Sequence, residues 1–319
     1  MSKTVIGTDI KEAASILQKG GLVAVPTETV YGLAANATDP KAVTGIFEAK
    51  QRPSFDPLIV HTDSLEKVRS FTKSIPESAL KLANQFWPGP LTLILEKKDL
   101  IPDIVSSGLP TIGVRMPDHP LTRELLSILD FPIAAPSANP FGYISPTNAE
   151  HVKAQLDDKV DYILDGGECK VGIESTIVSF ENDVPVILRL GGLSIDDIEK
   201  VVGKVKIQPH SSSNPKAPGM LKSHYAPRKK FYLGDIDSLL EKFPGDNIGV
   251  LTFTKKNINR PHHYILSPEG DTNEAAANLF SFMRKLDNSP IEAIIAEKVP
   301  EVGLGKAIND RLSRAAADT

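Results

Sequence analysis
Between Ile46 and His61 the chain reads IFEAKQRPSFDPLIVH, and three side chains there could do chemistry together. Lys50 and Arg52 stand two apart at the end of a predicted helix, Pro53 and Pro57 pin a loop, and a short apolar run delivers His61. Two cations and an imidazole at the rim of a sheet suit a site that holds several anionic oxygens. Arginine adds the two-pronged fork that carboxylates and phosphates favour. The plainer alternatives are that both cations answer a helix dipole and that His61 is a satisfied structural histidine.

Other polar residues recur at the ends of apolar runs. Thr27 and Thr29 lie in PTETVYGL (26–33), either as turn chemistry or as hydroxyls facing a ligand. Arg115 closes TIGVR, and a strand-end arginine in apolar company needs an anion, either a ligand or a buried carboxylate. Arg189 in VILRL poses the same question. Ser137 and Asn139 sit between two prolines, and Glu174-Ser175-Thr176 opens a further apolar run. Loops at strand edges are where α/β sheets build sites, so the joint placement carries more than any single residue.

The elements that must position these residues follow from pattern and punctuation. Helices are predicted over 10–19, 40–50, 64–71, 77–86, 121–129, 147–156 and 195–202. Asp39-Pro40 reads as an N-cap followed by proline in the first turn. Strands are predicted over 22–26, 58–61, 91–95, 111–116, 133–136, 162–164, 175–180 and 186–190. Strands and helices alternate irregularly, with some strand–strand neighbours, which favours a twisted, mixed α/β sheet. From 204 to 228 the chain is dense in Pro, Ser, Lys and His and reads as a linker. A second α/β unit follows, with strands over 230–233, 248–252, 263–266 and 291–296 and helices over 236–242, 273–286 and 306–317. Its alternation predicts a small parallel sheet. The division expected is therefore 1–203, 204–228 and 229–319.

The totals bound the function. The 319 residues carry a formal net charge of -4, so no global basic field is available to hold a long nucleic acid. Cys169 is the only cysteine, which excludes an internal disulfide and any multi-cysteine zinc site and suits a reducing compartment. The first residues have no apolar core of signal-peptide type, and no run approaches a membrane span, so a cytoplasmic protein is expected. P-loop, G-x-G-x-x-G, H-E-x-x-H, G-x-S-x-G and C-x-x-C patterns are absent. His262-His263 faces opposite sides of a strand and is not expected to share a metal.

Taken together, PTETVYGL (26–33), Lys50-x-Arg52 with Pro57-Leu58, Pro136-Ser137-Ala138-Asn139 and Glu174-Ser175-Thr176-Ile177 resemble the YrdC-like threonylcarbamoyl-AMP synthases. PGMLKSHYAP (218–227) is similar to the interdomain segment of their two-domain branch, and GLGKAINDRLSRAA (303–316) to the end of its C-terminal domain. The resemblance spans almost the whole chain. It implies a twisted mixed-sheet catalytic domain and a smaller Rossmann-like C-terminal domain. It implies a nucleotidyltransferase that makes threonylcarbamoyl-AMP and pyrophosphate from L-threonine, bicarbonate and ATP, with Mg2+. The product would pass to a transfer enzyme that modifies an adenosine beside the tRNA anticodon, and the chain's own contact with tRNA would be weak or indirect.

Residue by residue, the resemblance implies Lys50 and Arg52 as the catalytic phosphate clamp. It implies Thr29, His61, Arg115, the Ala135 backbone and Ser175 for threonine, with His61 able to take the amine proton. It implies Thr111, Ser137, Asn139, Ser145 and Arg189 for ATP, with Tyr225 closing over the site and 204–228 acting as a lid. One position departs: Asp56 stands where the family usually has Asn before Pro-Leu. Asp56 then either faces away, helps hold a metal, or accepts from the nucleoside. A different class of reading, an RNA-binding module of the same fold, is disfavoured by the negative net charge and the lack of Lys/Arg runs.

Overall fold
The computed structural model describes residues 4–208, 217–218 and 225–317. The larger sheet contains β1 (Val5–Gly7), β2 (Val23–Val25), β3 (Gly32–Asn36), β4 (Ile59–His61), β5 (Leu91–Glu96), β6 (Thr111–Arg115), β7 (Ile133–Ala134), β8 (Tyr162–Leu164), β9 (Thr176–Glu181), β10 (Val184–Arg189) and β11 (Lys206–Ile207). Their order is β1-β8-β2-β3-β7-β4-β6-β5-β9-β10-β11. The pairing is mixed, as the irregular alternation predicted. β4 and β6 run parallel, β5 opposes β6, β9 follows β5, and β10 opposes β9.

That mixture decides where the polar residues go. The ends of β4, β6 and β10 and the starts of β5 and β9 all reach one edge of the sheet. His61 and Arg115 are register partners there, Arg115 also faces Thr92, and Arg189 is opposite Ile177. Thr111 begins β6 at the other end. Four residues of strand put it roughly 13 Å from Arg115.

Helices deliver the rest. The helix Pro40–Lys50 starts at Asp39, whose side chain accepts from Lys41 N, with Pro40 in the first turn as predicted. Its C-cap Gln51 is left-handed, which turns the chain sharply between Lys50 and Arg52. Ile46, Leu58, Val60, Leu93, Val114 and Ile187 are fully or nearly fully buried in the core beneath.

The second unit is a parallel sheet of β12 (Lys230–Leu233), β13 (Ile248–Thr252), β14 (His263–Ile265) and β15 (Ala293–Ala296), ordered β12-β15-β13-β14. His263 Nε2 is 2.9 Å from Thr252 Oγ1, consistent with a structural histidine. Its helices Thr272–Asn288 and Gly305–Ala315 pack against the first unit. Val30, Ile144 and Ile173 share one buried cluster with Leu279, Phe280, Met283 and Ile308. Gly172 lets the backbones meet: a Cβ there would stand 2.5 Å from Ala277 Cα, and its φ is +75°.

Three strands went unforeseen. β1 is a three-residue edge strand, and β3 is GLAAN, small residues with little β-propensity. β11 pairs parallel to β10, so 206–207 belong to the large sheet although the composition reads as linker.

Candidate active site
A cavity of about 50 Å³ opens at the shared sheet edge, with Arg52, His61, Arg115, Ser137, Ser175 and Tyr225 in its lining. Ala135 and Arg189 line it too.

Arg52 is held by its own loop. Its Nε donates to Asp56 O at 3.2 Å, its Nη2 to Pro57 O at 3.0 Å, and the guanidinium lies 5.8 Å from the Phe141 ring centroid. Asp56 does not line the cavity: it is buried, and its Oδ2 is 2.9 Å from Arg52 Nη2. The angle makes this an ionic contact only, and neither Asp56 oxygen takes a hydrogen bond among the described residues. Burial pushes the Asp56 carboxyl up, against the pull of Arg52 and Lys50.

Lys50 is also wholly buried, but it points behind the cavity wall. Its Nζ donates to Ser137 O and, at 2.5 Å, to Asn139 O. Burial, and then Arg52 beside it, hold its pKa well below the ordinary lysine value. The Asn139 side chain donates to Pro140 O and Tyr143 O, and its Oδ1 has no partner among the described residues. Lys50 therefore shapes the Ser137–Asn139 turn that Arg52 faces.

Of the two anions that its strand position allowed, Arg115 has the buried carboxylate. Its Nη2 is 2.6 Å from Glu28 Oε1, while Nε donates to Gly89 O at 3.3 Å. Next to it, the His61 ring is kept neutral. Burial, then the Arg115 charge, lower its pKa to about 3. Its Nδ1 lies 3.2 Å from Ile59 O, and a carbonyl only accepts, so the proton sits on Nδ1 and leaves Nε2 as an acceptor.

The hydroxyls form pairs. Thr27 Oγ1 donates to Val30 O at 2.6 Å, so Thr29 Oγ1, 2.8 Å away, donates to Thr27. Ser175 Oγ is 2.7 Å from Thr92 Oγ1 and accepts from Arg189 Nη2 at 3.0 Å. Arg189 also donates to Ser175 O from Nε and Nη2, and from Nη1 to Pro218 O at 3.3 Å. Gly191 permits this approach: a Cβ there would stand 2.3 Å from Glu174 O. Ser145 Oγ donates to Glu174 Oε1 at 2.5 Å.

Eight of the residues singled out from sequence line the cavity: Arg52, His61, Arg115, Ala135, Ser137, Ser175, Arg189 and Tyr225; Thr29, Lys50, Asp56, Thr111, Asn139 and Ser145 do not. Lys50 braces it from behind, and Thr111 lines a separate cavity of about 360 Å³ with Ile94, Pro110 and Leu188. Between the two cavities, Ala217 is buried in one cluster with Ile59, Ile94, Ile177 and Leu188. The residues 219–224, which carry most of the PGMLKSHY motif, lie outside the described residues. Glu28, Thr92 and Arg311 were missed as site residues. Glu28 lies within PTETVYGL, and Arg115 in its apolar run was the signal that an anion, either a ligand or a buried carboxylate, had to be near.

Among the described residues no group of three or more His, Cys, Asp or Glu could hold a metal ion. The buried carboxylates Glu28, Asp56 and Glu174 are each already matched to an arginine: Arg115, Arg52 and Arg311. Among the described residues Arg189 donates to oxygens of Ser175 and Pro218 and to no carboxylate, so cations prevail on the wall.

Fold and site together define a two-domain α/β protein whose sheet edge gathers three arginines, an imidazole and hydroxyls around one cavity. Comparison with known proteins narrows the class. The family model described as "Telomere recombination" matches residues 15–191, and "Threonylcarbamoyl-AMP synthase, C-terminal domain" matches residues 193–317. The threonylcarbamoyl-AMP synthase of Pyrococcus abyssi is 43% identical, over 96% of this chain and 93% of its own. That of Bacillus subtilis is 42% identical, over 96% and 92%. The crystal structure of P. abyssi Sua5 complexed with L-threonine superposes with a TM-score of 0.93 at 41% identity, covering 98% of each chain. The chain belongs to the two-domain threonylcarbamoyl-AMP synthase family.

Proposed function
We propose that this protein condenses L-threonine, bicarbonate and ATP into threonylcarbamoyl-AMP and pyrophosphate, supplying the tRNA threonylcarbamoyl-adenosine modification. The observation that carries the reading is the meeting of His61, Arg115, Ser175 and Arg189 around one cavity, in a chain similar over nearly its whole length to proteins of that name.

The threonine amine forms an N–C bond to the carbon of bicarbonate, a C–O bond breaks, and water leaves with the amine proton, giving a carbamate. A carbamate oxygen attacks the α-phosphorus of ATP, the bond to the β-phosphate bridge breaks, and pyrophosphate leaves with the electron pair. Such a step needs two anions held in line and the leaving charge neutralised. Arg115 pairs with the threonine carboxylate while Glu28 holds its other side. Thr29, Ser175 and the Ala135 backbone complete that pocket. His61, neutral, accepts a hydrogen bond at Nε2 and is too weak a base at about 3 to carry the amine proton at neutral pH. Arg52 and Arg189 meet the phosphates with Ser137, Asn139 and Ser145, and Lys50 sets the turn that presents Ser137. Mg2+ would be held by ATP's own phosphate oxygens, as it is where proteins offer few carboxylates, and would neutralise charge on the leaving group.

Residues 204–228 act as linker and lid. Ala217 and Pro218 support this, covering the strip between the two cavities, as does Tyr225 on the cavity lining. A nucleotide stretching from Ser137 to Thr111 would cross that strip. Deleting 218–225 is expected to cripple turnover, and unchanged turnover would make the segment a spacer. The enzyme works in the cytoplasm and hands its product to a transfer enzyme, with tRNA bound weakly at most, in keeping with the net charge of -4. No described helix is long and apolar enough to cross a membrane. Purified protein should convert radiolabelled threonine to an AMP-linked product only with bicarbonate and ATP; no such product alongside an active control would refute the reading.

A further inference from the structure
Arg311 lies on the helix Gly305–Ala315 of the C-terminal unit, yet its side chain serves the catalytic domain. It is fully buried. Its Nε meets Glu174 Oε2 at 2.9 Å, its Nη2 donates to Leu190 O at 2.8 Å, and its Nη1 meets Asp310 Oδ2 at 2.7 Å. Its guanidinium lies 4.7 Å from the Tyr225 ring centroid. Glu174 lines the cavity, and its other oxygen accepts from Ser145. One side chain thus touches the segment after Arg189, the Glu174 carboxylate that orients Ser145, and Tyr225.

Other contacts also dock the two units. The apolar cluster around Val30, Ile144 and Phe280 already joins the units. So do Arg284, which donates to Ile144 O and Ser145 O, and the Tyr143 hydroxyl, 2.5 Å from Asp287 Oδ2. Moreover, Glu28 and Asp56 find their arginines within the catalytic domain, whereas the ion-pair partner of Glu174 comes from the other domain. Without Arg311, Glu174 would present a carboxylate to any anion entering the cavity, and buried charges left without a partner are strongly unfavourable.

We infer that Arg311 is a positioning residue through which the C-terminal domain completes the phosphate side of the site: it neutralises Glu174 and thereby aims Ser145 and keeps the wall attractive to anions. This rests on the nucleotide reading above for the identity of the anion. The test uses full-length protein and calorimetric binding of pyrophosphate, ATP and threonine to wild type, Arg311→Met, Glu174→Gln and the double variant. Arg311→Met is expected to weaken pyrophosphate about thirtyfold or more, with threonine affected less, because Arg115 keeps Glu28. The double variant, whose amide still accepts from Ser145, is expected to recover at least about tenfold of that loss. A folded Arg311→Met that binds pyrophosphate within about twofold of wild type, or a double variant no tighter than the single, would overturn the inference. Should Arg311→Met fail to fold by circular dichroism, Arg311→Lys decides. It keeps the charge opposite Glu174, and a loss beyond about tenfold would overturn the inference. Wild-type protein that binds neither ATP nor pyrophosphate would instead refute the nucleotide reading.

Discussion
His61 and Arg115 end two adjacent parallel strands as direct register partners, so an imidazole and a guanidinium share one buried edge. Burial and that neighbouring charge together keep the imidazole neutral, at about 3. Folding therefore opposes protonation of His61. Its contribution to stability is fully present above the ordinary histidine value of 6.5, and is lost as pH falls from there toward 3. His61→Gln should lose less stability than wild type between pH 7 and about 5, read from urea midpoints at each pH. Parallel curves would show that His61 ionises freely in the fold. His151, also lowered, to about 4, contributes to the same limb and remains in both proteins.

Lys50→Met tests the brace behind the Ser137–Asn139 turn. One part-buried and one buried carbonyl would each lose a donor, at about 1–3 kcal/mol for a buried group. Stability should fall by roughly 2 kcal/mol or more, with ATP affinity falling further than threonine affinity. Unchanged stability with lost turnover would place Lys50 on the phosphates directly.

Asp56→Asn removes a buried carboxylate that takes no hydrogen bond from the described residues, and Arg52 keeps its two backbone acceptors, Asp56 O and Pro57 O. Pyrophosphate affinity measured without metal should rise about tenfold as the nearby negative charge disappears. A fall would mean that Asp56 positions Arg52 or binds the nucleotide itself.

Gly191→Ala forces a Cβ against Glu174 O and the Ser175 carbonyl carbon, at 2.3 Å and 2.4 Å. Both are backbone, so the two segments must part, costing about 2–3 kcal/mol. Thermal melting and kcat/KM should fall together. A stable, fully active variant would show that the contact relaxes without disturbing Ser175.

The fold was largely legible because period and punctuation agreed. Asp39-Pro40, Pro53 and the apolar runs ending at His61 and Arg115 marked their elements, and β4, β6 and β10 deliver their polar ends where those runs stop. β3 was not legible, since its Gly and Ala residues look like a turn until β2 and β7 pair with them. The division of labour in Lys50-x-Arg52 was hidden too. Spacing cannot reveal that a left-handed Gln51 sends one side chain behind the wall and the other into it. Arg311 lies 137 residues from Glu174, a distance no local pattern spans.

The most direct measurement supplies [14C]bicarbonate, [α-32P]ATP and unlabelled threonine, and separates products by chromatography. One peak should carry both labels, form with equimolar pyrophosphate, require threonine, and fall about a hundredfold for Arg52→Lys, which lacks the fork. Pyrophosphate release without threonine, or labels that never share a peak, would contradict the account.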